Sequence, residues 1–369
     1  MNWTVWMDAW DGTRVAPVTP IVKLSVAKVA NTIGAFSLTV PATAIPEGYL
    51  TRDRLFEFWR DGKLVNAGFL RRMSWRHSAG VPGGILMTLS GPDCQYILDS
   101  RIINSAAWQS ATQNYDRLDD MMKNYVKAQI GSTAGAGRDW SGNGLAIEPN
   151  LGEAPFANAS FEWERLWDLL VRLAGMSANL GNDLYFFIEP YLVGEFLNFK
   201  FRTTIDKIGL DRTSPNGYNP VILSYNLGNL TDDELVYDYF DEKNAAFAAG
   251  RGEGSTRPYQ IITDDYSINL SPWGRREIFV NVSNETVTAG LVAAGQAALK
   301  KTKPKFILNG TITNTQNYRI GKDFDYGDLV TVEFESKSMN GMISNVKYDW
   351  DTDGSEVSTC KITGDISAP

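Results

Sequence analysis

The chain has 369 residues, of which 43% are hydrophobic and 21% charged, and its formal net charge is −8. That length and apolar content support a packed core in two or three domains and exclude a disordered chain. The acidic balance gives no bulk attraction to phosphate, so binding nucleic acid as a main task is disfavoured on electrostatic grounds.

The first segment, MNWTVWMDAWDG, carries acids and no apolar run, so no signal peptide is expected. No stretch approaches the roughly 18 apolar residues of a membrane span. Phe36, Leu38 and Val40 alternate with Ser37 and Thr39, which predicts a strand opened by Gly34 and closed by Pro41. Next, Asp61-Gly62 separates two runs of strand formers. Both positions of a type I′ turn need positive φ, so Leu55–Arg60 and Lys63–Ala67 read as a hairpin whose second strand continues beyond Gly68. Another strand is predicted over Gly84–Ser90. Short strands at this spacing indicate a small barrel or sandwich.

The middle of the chain changes period. Leu118, Met121, Met122, Tyr125 and Val126 recur at helical spacing, and a Gly- and Ser-rich loop, GSTAGAGRDWSGNG, follows. A second helix is expected after Ser160 as N-cap, with Glu162 and Glu164 in its first turn. Its apolar stripe is Leu166, Leu169, Leu170 and Leu173, and Gly175 is expected near its end. Strand signals resume where Phe196, Asn198 and Lys200 alternate with Leu197, Phe199 and Phe201, and again at VILSYNL. A further helix is predicted over Glu285–Lys301. The tail is β again: FILNGTI, then Leu329 to Phe334 with Val330 and Val332 facing one way, then GMISNVKYDW and EVSTCKITG.

Candidates for chemistry are few. His77 is the single histidine and would have to be the base of any Ser-His-Asp or Cys-His site, yet no Gly-x-Ser-x-Gly elbow accompanies it. With Cys94 and Cys360 it makes three His/Cys residues in all, too few for common zinc sites; the two cysteines read as buried thiols, with a single long-range bridge as the other option. Asp119/Asp120, Glu162/Glu164, Asp232/Asp233/Glu234 and Asp264/Asp265 offer carboxylates for glycoside hydrolysis, which requires a spatial separation that sequence does not give. Asp349, Asp351, Asp353 and Gly354 match the opening of an EF-hand loop, but Cys360 stands where the bidentate Glu belongs, and Asp353-Gly354 reads as a hairpin turn. Gly250, Gly252 and Gly254 lack a following Gly-Lys-Ser/Thr and read as a turning connection. Lys300, Lys301, Lys303 and Lys305 read as cations at a helix end. Trp59, Trp75 and Trp350 read as core or subunit-interface residues. No catalytic, cofactor-binding or metal-ligating residue is assigned, no cofactor is expected, and the chain is not expected to be an enzyme.

Two passages carry a resemblance. The N-terminal GAFSLTVPATAIPEGYLTRDRLFEFWRDGKLVNAGFLRRMSW, with Gly34, Phe36, Leu38, Asp61, Gly62 and Gly68, resembles tail hub proteins of tailed phages. The C-terminal DFDYGDLVTVEFESKSMNGMISNVKYDWDTDGSEVSTCKITG, with Gly327-Asp328, Gly341 and Gly364, resembles the closing barrel of that family, and Asn244 to Arg257 is similar to its glycine-rich connection. The resemblance implies a mixed α+β, β-rich fold with two small β-barrel tube domains at the two ends of the chain and inserted α/β material. The corresponding divisions are 1–100 for the first tube domain, 101–220 for an insertion with two helices, and 221–369 for the second tube domain with a helix near 285–301.

It further implies a homotrimer whose six barrels present a pseudo-sixfold face to the hexameric tail tube or distal tail ring, and whose other face meets a trimeric tip or central fibre protein. The tape measure protein is a further candidate partner. Such a hub sits at the tail tip of the virion, is assembled in the host cytoplasm, lines the DNA channel without sequence-specific contacts and has no membrane span. An acidic lumen there would repel phosphates. No fused lytic domain is expected after Gly364. A carbohydrate-binding adhesin and a tail-associated glycoside hydrolase are the alternatives; an aromatic groove would favour the first, and carboxylates across a cleft the second.

Overall fold

A computed structural model of the chain describes residues 2–80, 82–103, 114–135, 137–159, 163–216, 219–282 and 287–366. The chain is mixed α+β and dominated by strands. The longest sheet path runs Leu230–Asp238, Lys305–Ile312, Glu356–Asp365, Lys337–Asp351, Lys23–Val29, Ala35–Pro41, Ile85–Pro92, Arg72–His77, with every neighbouring pair antiparallel. Leu329–Phe334 joins it by pairing with Lys337–Asp351, and Asp211–Arg212 and Ile222–Ser224 lie parallel on its other side. A second sheet, Arg14–Val18, Trp3–Asp8, Leu55–Arg60, Lys63–Phe69, shares one core with it.

Local sequence rules account for these strands. Phe36, Leu38 and Val40 all point into the shared core. Asp61 and Gly62 have φ of 48° and 82°, as a type I′ hairpin turn requires, and Lys63–Phe69 runs just past Gly68. Gly341 and Gly364 flank the ring of Phe306. A Cβ on either would come within 2.9 Å or 2.7 Å of that ring, so a side chain there would displace a fully buried phenylalanine.

The two end barrels implied by the resemblance are not seen as closed units. Among the described residues no sheet closes on itself, and Lys337–Asp351 pairs through its second half with Lys23–Val29, so strands from both ends form one sheet. The physical reason lies in the length of that strand. Its 15 residues exceed what Leu329–Phe334 can pair, and the remainder supplies a free ladder to the N-terminal strands. The shared core accordingly mixes Val5, Met7, Leu38 and Met87 with Phe306, Val330, Val332 and Ile362.

A second core is built on helices α1 (Leu118–Gln129) and α2 (Leu166–Asn179) against the hairpin Leu184–Val193/Phe196–Ile205. The stripes Leu118, Met121, Met122, Tyr125, Val126 and Leu166, Leu169, Leu170, Leu173 are buried, and so are Leu197, Phe199 and Phe201. The start of α2 differs from expectation. Arg165 occupies the cap position, Glu164 precedes the helix and pairs with Arg172, and Ser160 and Glu162 lie outside the described residues. Gly175 lies inside the helix, and the chain turns instead at Gly181, with φ of 93°. A third unit has the sheet Tyr259–Thr263, Ala245–Ala249, Glu277–Asn281, the short helix α3 (Asp265–Asn269) and α4 (Thr288–Lys301). The helix predicted from Glu285 is described from Thr288, Glu285 lying outside the described residues. Lys300 and Lys301 tie its last turn to the Gly181 carbonyl and the Asn179 side chain.

Candidate functional site: a candidate subunit interface

The residues weighed for chemistry are dispersed, and most hold the backbone. His77 lies exposed at the end of the edge strand Arg72–His77. Asp119 is buried and accepts from the amides of Glu153 and Ala154, Asp120 accepts from that of Gly152, and Asp264 caps α3. Asp349 pairs with Lys347 and Asp351 with Lys23, while Asp353 and Gly354 form the hairpin turn that returns the chain to Glu356. The Gly250–Gly254 connection is laced by Arg257, which donates to the Ala249 and Gly250 carbonyls. Cys94 and Cys360 are both free and buried, in different cores. Among the described residues no group of three or more His, Cys, Asp or Glu is placed to hold a metal ion.

One of the buried ion pairs lies where the chain ends meet. Arg60 and Glu356 have side chains 5% and 4% exposed and pair through Nη2–Oε1 at 2.7 Å and Nε–Oε2 at 3.0 Å. The Ile320 carbonyl accepts from Arg60 Nη1 at 2.6 Å, Trp3 Nε1 donates to Glu356 Oε2 at 2.7 Å, and the Tyr348 ring lies 5.1 Å from the guanidinium. Asp328, flagged by the C-terminal resemblance, accepts from Leu210 N and Arg212 Nε and so ties the 208–212 segment to the sheet. Sequence reading did not single out Asp8 and Glu57, which are fully buried neighbours. Glu57 accepts from Arg14 and Trp59, whereas no N–H or hydroxyl group of the described residues donates to either Asp8 oxygen. Burial first, and the neighbouring Glu57 second, push the Asp8 carboxyl up to about 8. Both carboxyls are closed off from solvent, so they do not flank a cleft.

Two of the open surfaces among the described residues bear on function. The cleft on the outer face of the third unit, about 570 Å³, is lined by Phe247, Tyr259, Ile278 and Phe279, with the Arg257 guanidinium 5.5 Å over the Phe279 ring. The other surface is the pair of outermost strands of the long sheet. Among the described residues Arg72–His77 and Leu230–Asp238 each pair on one side only. Trp75 is 54% exposed on the first, whereas Trp59 and Trp350 are half-buried. The strand Leu230–Asp238 went unread in the sequence because its acidic start masks the alternation of Glu234, Leu235, Val236 and Tyr237.

Comparison with known proteins places this geometry. Residues 2–361 match the family described as Siphovirus ReqiPepy6 Gp37-like protein. By structure, the chain is similar to the 43 kDa tail protein of prophage MuSo2 from Shewanella oneidensis at 15% identity and TM-score 0.62, covering 97% of this chain and 98% of that one. It is similar to a tail protein from Neisseria meningitidis MC58 at 12% identity and TM-score 0.60, covering 99% and 97%. It also resembles the prophage tail protein gp18 from Listeria monocytogenes EGD-e, with 12% identity, TM-score 0.57 and coverage of 100% and 96%. No curated protein matches by sequence. The chain therefore has the fold of phage tail proteins along its whole length.

Proposed function

The chain belongs to the family of Siphovirus ReqiPepy6 Gp37-like proteins, and from that membership we propose that it is a structural component of the virion, the hub at the tip of a phage tail, and not an enzyme. The observation that carries the proposal is the correspondence of fold with tail proteins over nearly the full length of both chains. In this role three copies form a ring, and the strand sets from the two ends of each copy act as its two tube-like units, giving the pseudo-sixfold face that meets the tail tube or distal tail ring. The opposite face receives a trimeric tip or central fibre protein, with the tape measure protein as a further partner, and assembly takes place in the host cytoplasm. The sheet shared by both ends supports this, because it holds the two units of one copy in fixed relation. So does the Arg60–Glu356 pair beneath it.

The test is the mass of the purified chain by light scattering on a size-exclusion column, with negative-stain images. Trimeric rings with six similar densities are expected. A monomer that binds a polysaccharide would replace the hub with a carbohydrate-binding adhesin, a role that the aromatic cleft at Phe247, Tyr259 and Phe279 favours.

A further inference from the structure

The two outermost strands of the long sheet are opposite in charge and matched in pattern. On Arg72–His77, Met73 lies on the core side of the sheet, packed against the shared core, and Trp75 follows it on the same face; Arg72, Ser74 and Arg76 face outward. On Leu230–Asp238, Leu235 and Tyr237 lie on the core side opposite Leu308 and Phe306, and Glu234, Val236 and Asp238 face outward. Each edge therefore shows two like charges four residues apart around a small uncharged residue, and an apolar pair behind them. Within the chain, among the described residues, none of Arg72, Arg76, Glu234 and Asp238 forms a salt bridge. Lys305, opposite Asp238, is paired with Asp365.

The eight strands of this path, the two edges included, alternate in direction at every step, so the two edges run opposite ways. A copy related by rotation about a ring axis then presents its acidic edge antiparallel to the basic edge of its neighbour. We infer that the Arg72–His77 edge of one copy pairs with the Leu230–Asp238 edge of a second copy of this chain, in a register that sets Arg72 opposite Asp238, Ser74 opposite Val236 and Arg76 opposite Glu234. The same register puts Met73 against Tyr237 and Trp75 against Leu235, so the apolar row of one sheet continues into the next. Like edges are kept apart, since two basic or two acidic edges would set equal charges face to face. The bulge between Thr231 and Glu234, with Asp232 at φ of 50°, ends the ladder beyond Glu234 and limits the pairing to this stretch. An interface between different patches of identical chains closes into a ring when the rotation allows. The inference rests on the hub proposal only in taking the partner to be another copy.

The test is disulfide trapping of the full chain carrying Ser74→Cys together with Val236→Cys, oxidised at high protein concentration; the native Cys94 and Cys360 are buried and stay silent. Covalent closed oligomers are expected from the double variant, and none from either single variant. Arg72→Glu with Arg76→Glu should weaken association by about tenfold or more, and adding Glu234→Arg with Asp238→Arg to the same chain should restore it. Near-ultraviolet circular dichroism checks that each variant is folded. Absence of the 74–236 cross-link, or failure of the fourfold swap to restore association, overturns the pairing. Trimers that lack the cross-link remove the edge pairing and keep the hub; cross-linked rings of another number keep the pairing and remove the trimeric hub.

Discussion

Replacing Glu356 with alanine should destabilise the chain more than any surface change, because it strands the Arg60 guanidinium in the core. Arg60 is 5% exposed, and all three of its guanidinium nitrogens are engaged, Nε and Nη2 by Glu356 and Nη1 by the Ile320 carbonyl. Removing the carboxylate leaves a charge that water does not reach, and breaking such a buried pair costs about 3–5 kcal/mol. Trp3 Nε1 loses its acceptor at the same time, adding about 1 kcal/mol. At about 2.1 cal/mol/K of unfolding entropy per residue over 369 residues, ~4 kcal/mol corresponds to a fall of about 5 °C in the thermal midpoint. Urea unfolding followed by tryptophan fluorescence measures the free energy directly. The double variant Arg60→Met with Glu356→Leu removes both charges and should recover most of the loss. A loss below about 1 kcal/mol for Glu356→Ala, or a double variant no more stable than the single one, would refute the view that this pair locks residue 60 to residue 356.

Further outcomes are expected elsewhere. The Asp8 carboxyl, pushed up to about 8, keeps its proton in the folded chain where the unfolded chain has released it. Its contribution is therefore fully present below the usual carboxylate range and is lost as pH rises through about 8. Asp8→Asn should flatten that loss, and urea unfolding at several pH values checks it; parallel pH profiles for the two proteins would count against it. Val330→Asp or Val332→Asp introduces a carboxylate at a fully buried position and should cost more than about 3 kcal/mol, seen as insoluble protein or a lost cooperative melt. Gly341→Ala brings a Cβ to 2.9 Å from both Phe306 and Ile362 and should cost about 1–3 kcal/mol by thermal melting, whereas Gly354→Ala, with open space around it, costs only the strain of its φ of 85°.

Much of the β architecture was legible because it rests on short-range rules. Alternation at Phe36, Leu38 and Val40, the Asp61-Gly62 turn and the apolar stripes of α1 and α2 each depend on neighbours a few residues away, and the structure has them at those positions. The cap of α2 was misplaced because Ser160 satisfies the rule for a cap, while the backbone enters the helix only at Leu166, where the Arg101 carbonyl accepts from the Leu166 amide. The edge strand Leu230–Asp238 is not legible in the sequence because its acids weaken the strand signal, although the same acids give the edge its character.

The sequence by itself determined the β-rich class, the hairpins, the helices and the kinship with tail proteins, since all of these are written in local periodicity and in glycines at fixed offsets. Only the tertiary structure decided that both ends enter one sheet and one core. It alone brought Arg60 to Glu356, Asp8 to Glu57, and a basic and an acidic strand to the two free edges. Those encounters join residues as far as 296 positions apart, and which of many distant strands meet depends on how the whole core packs, a quantity that no local pattern of residues carries.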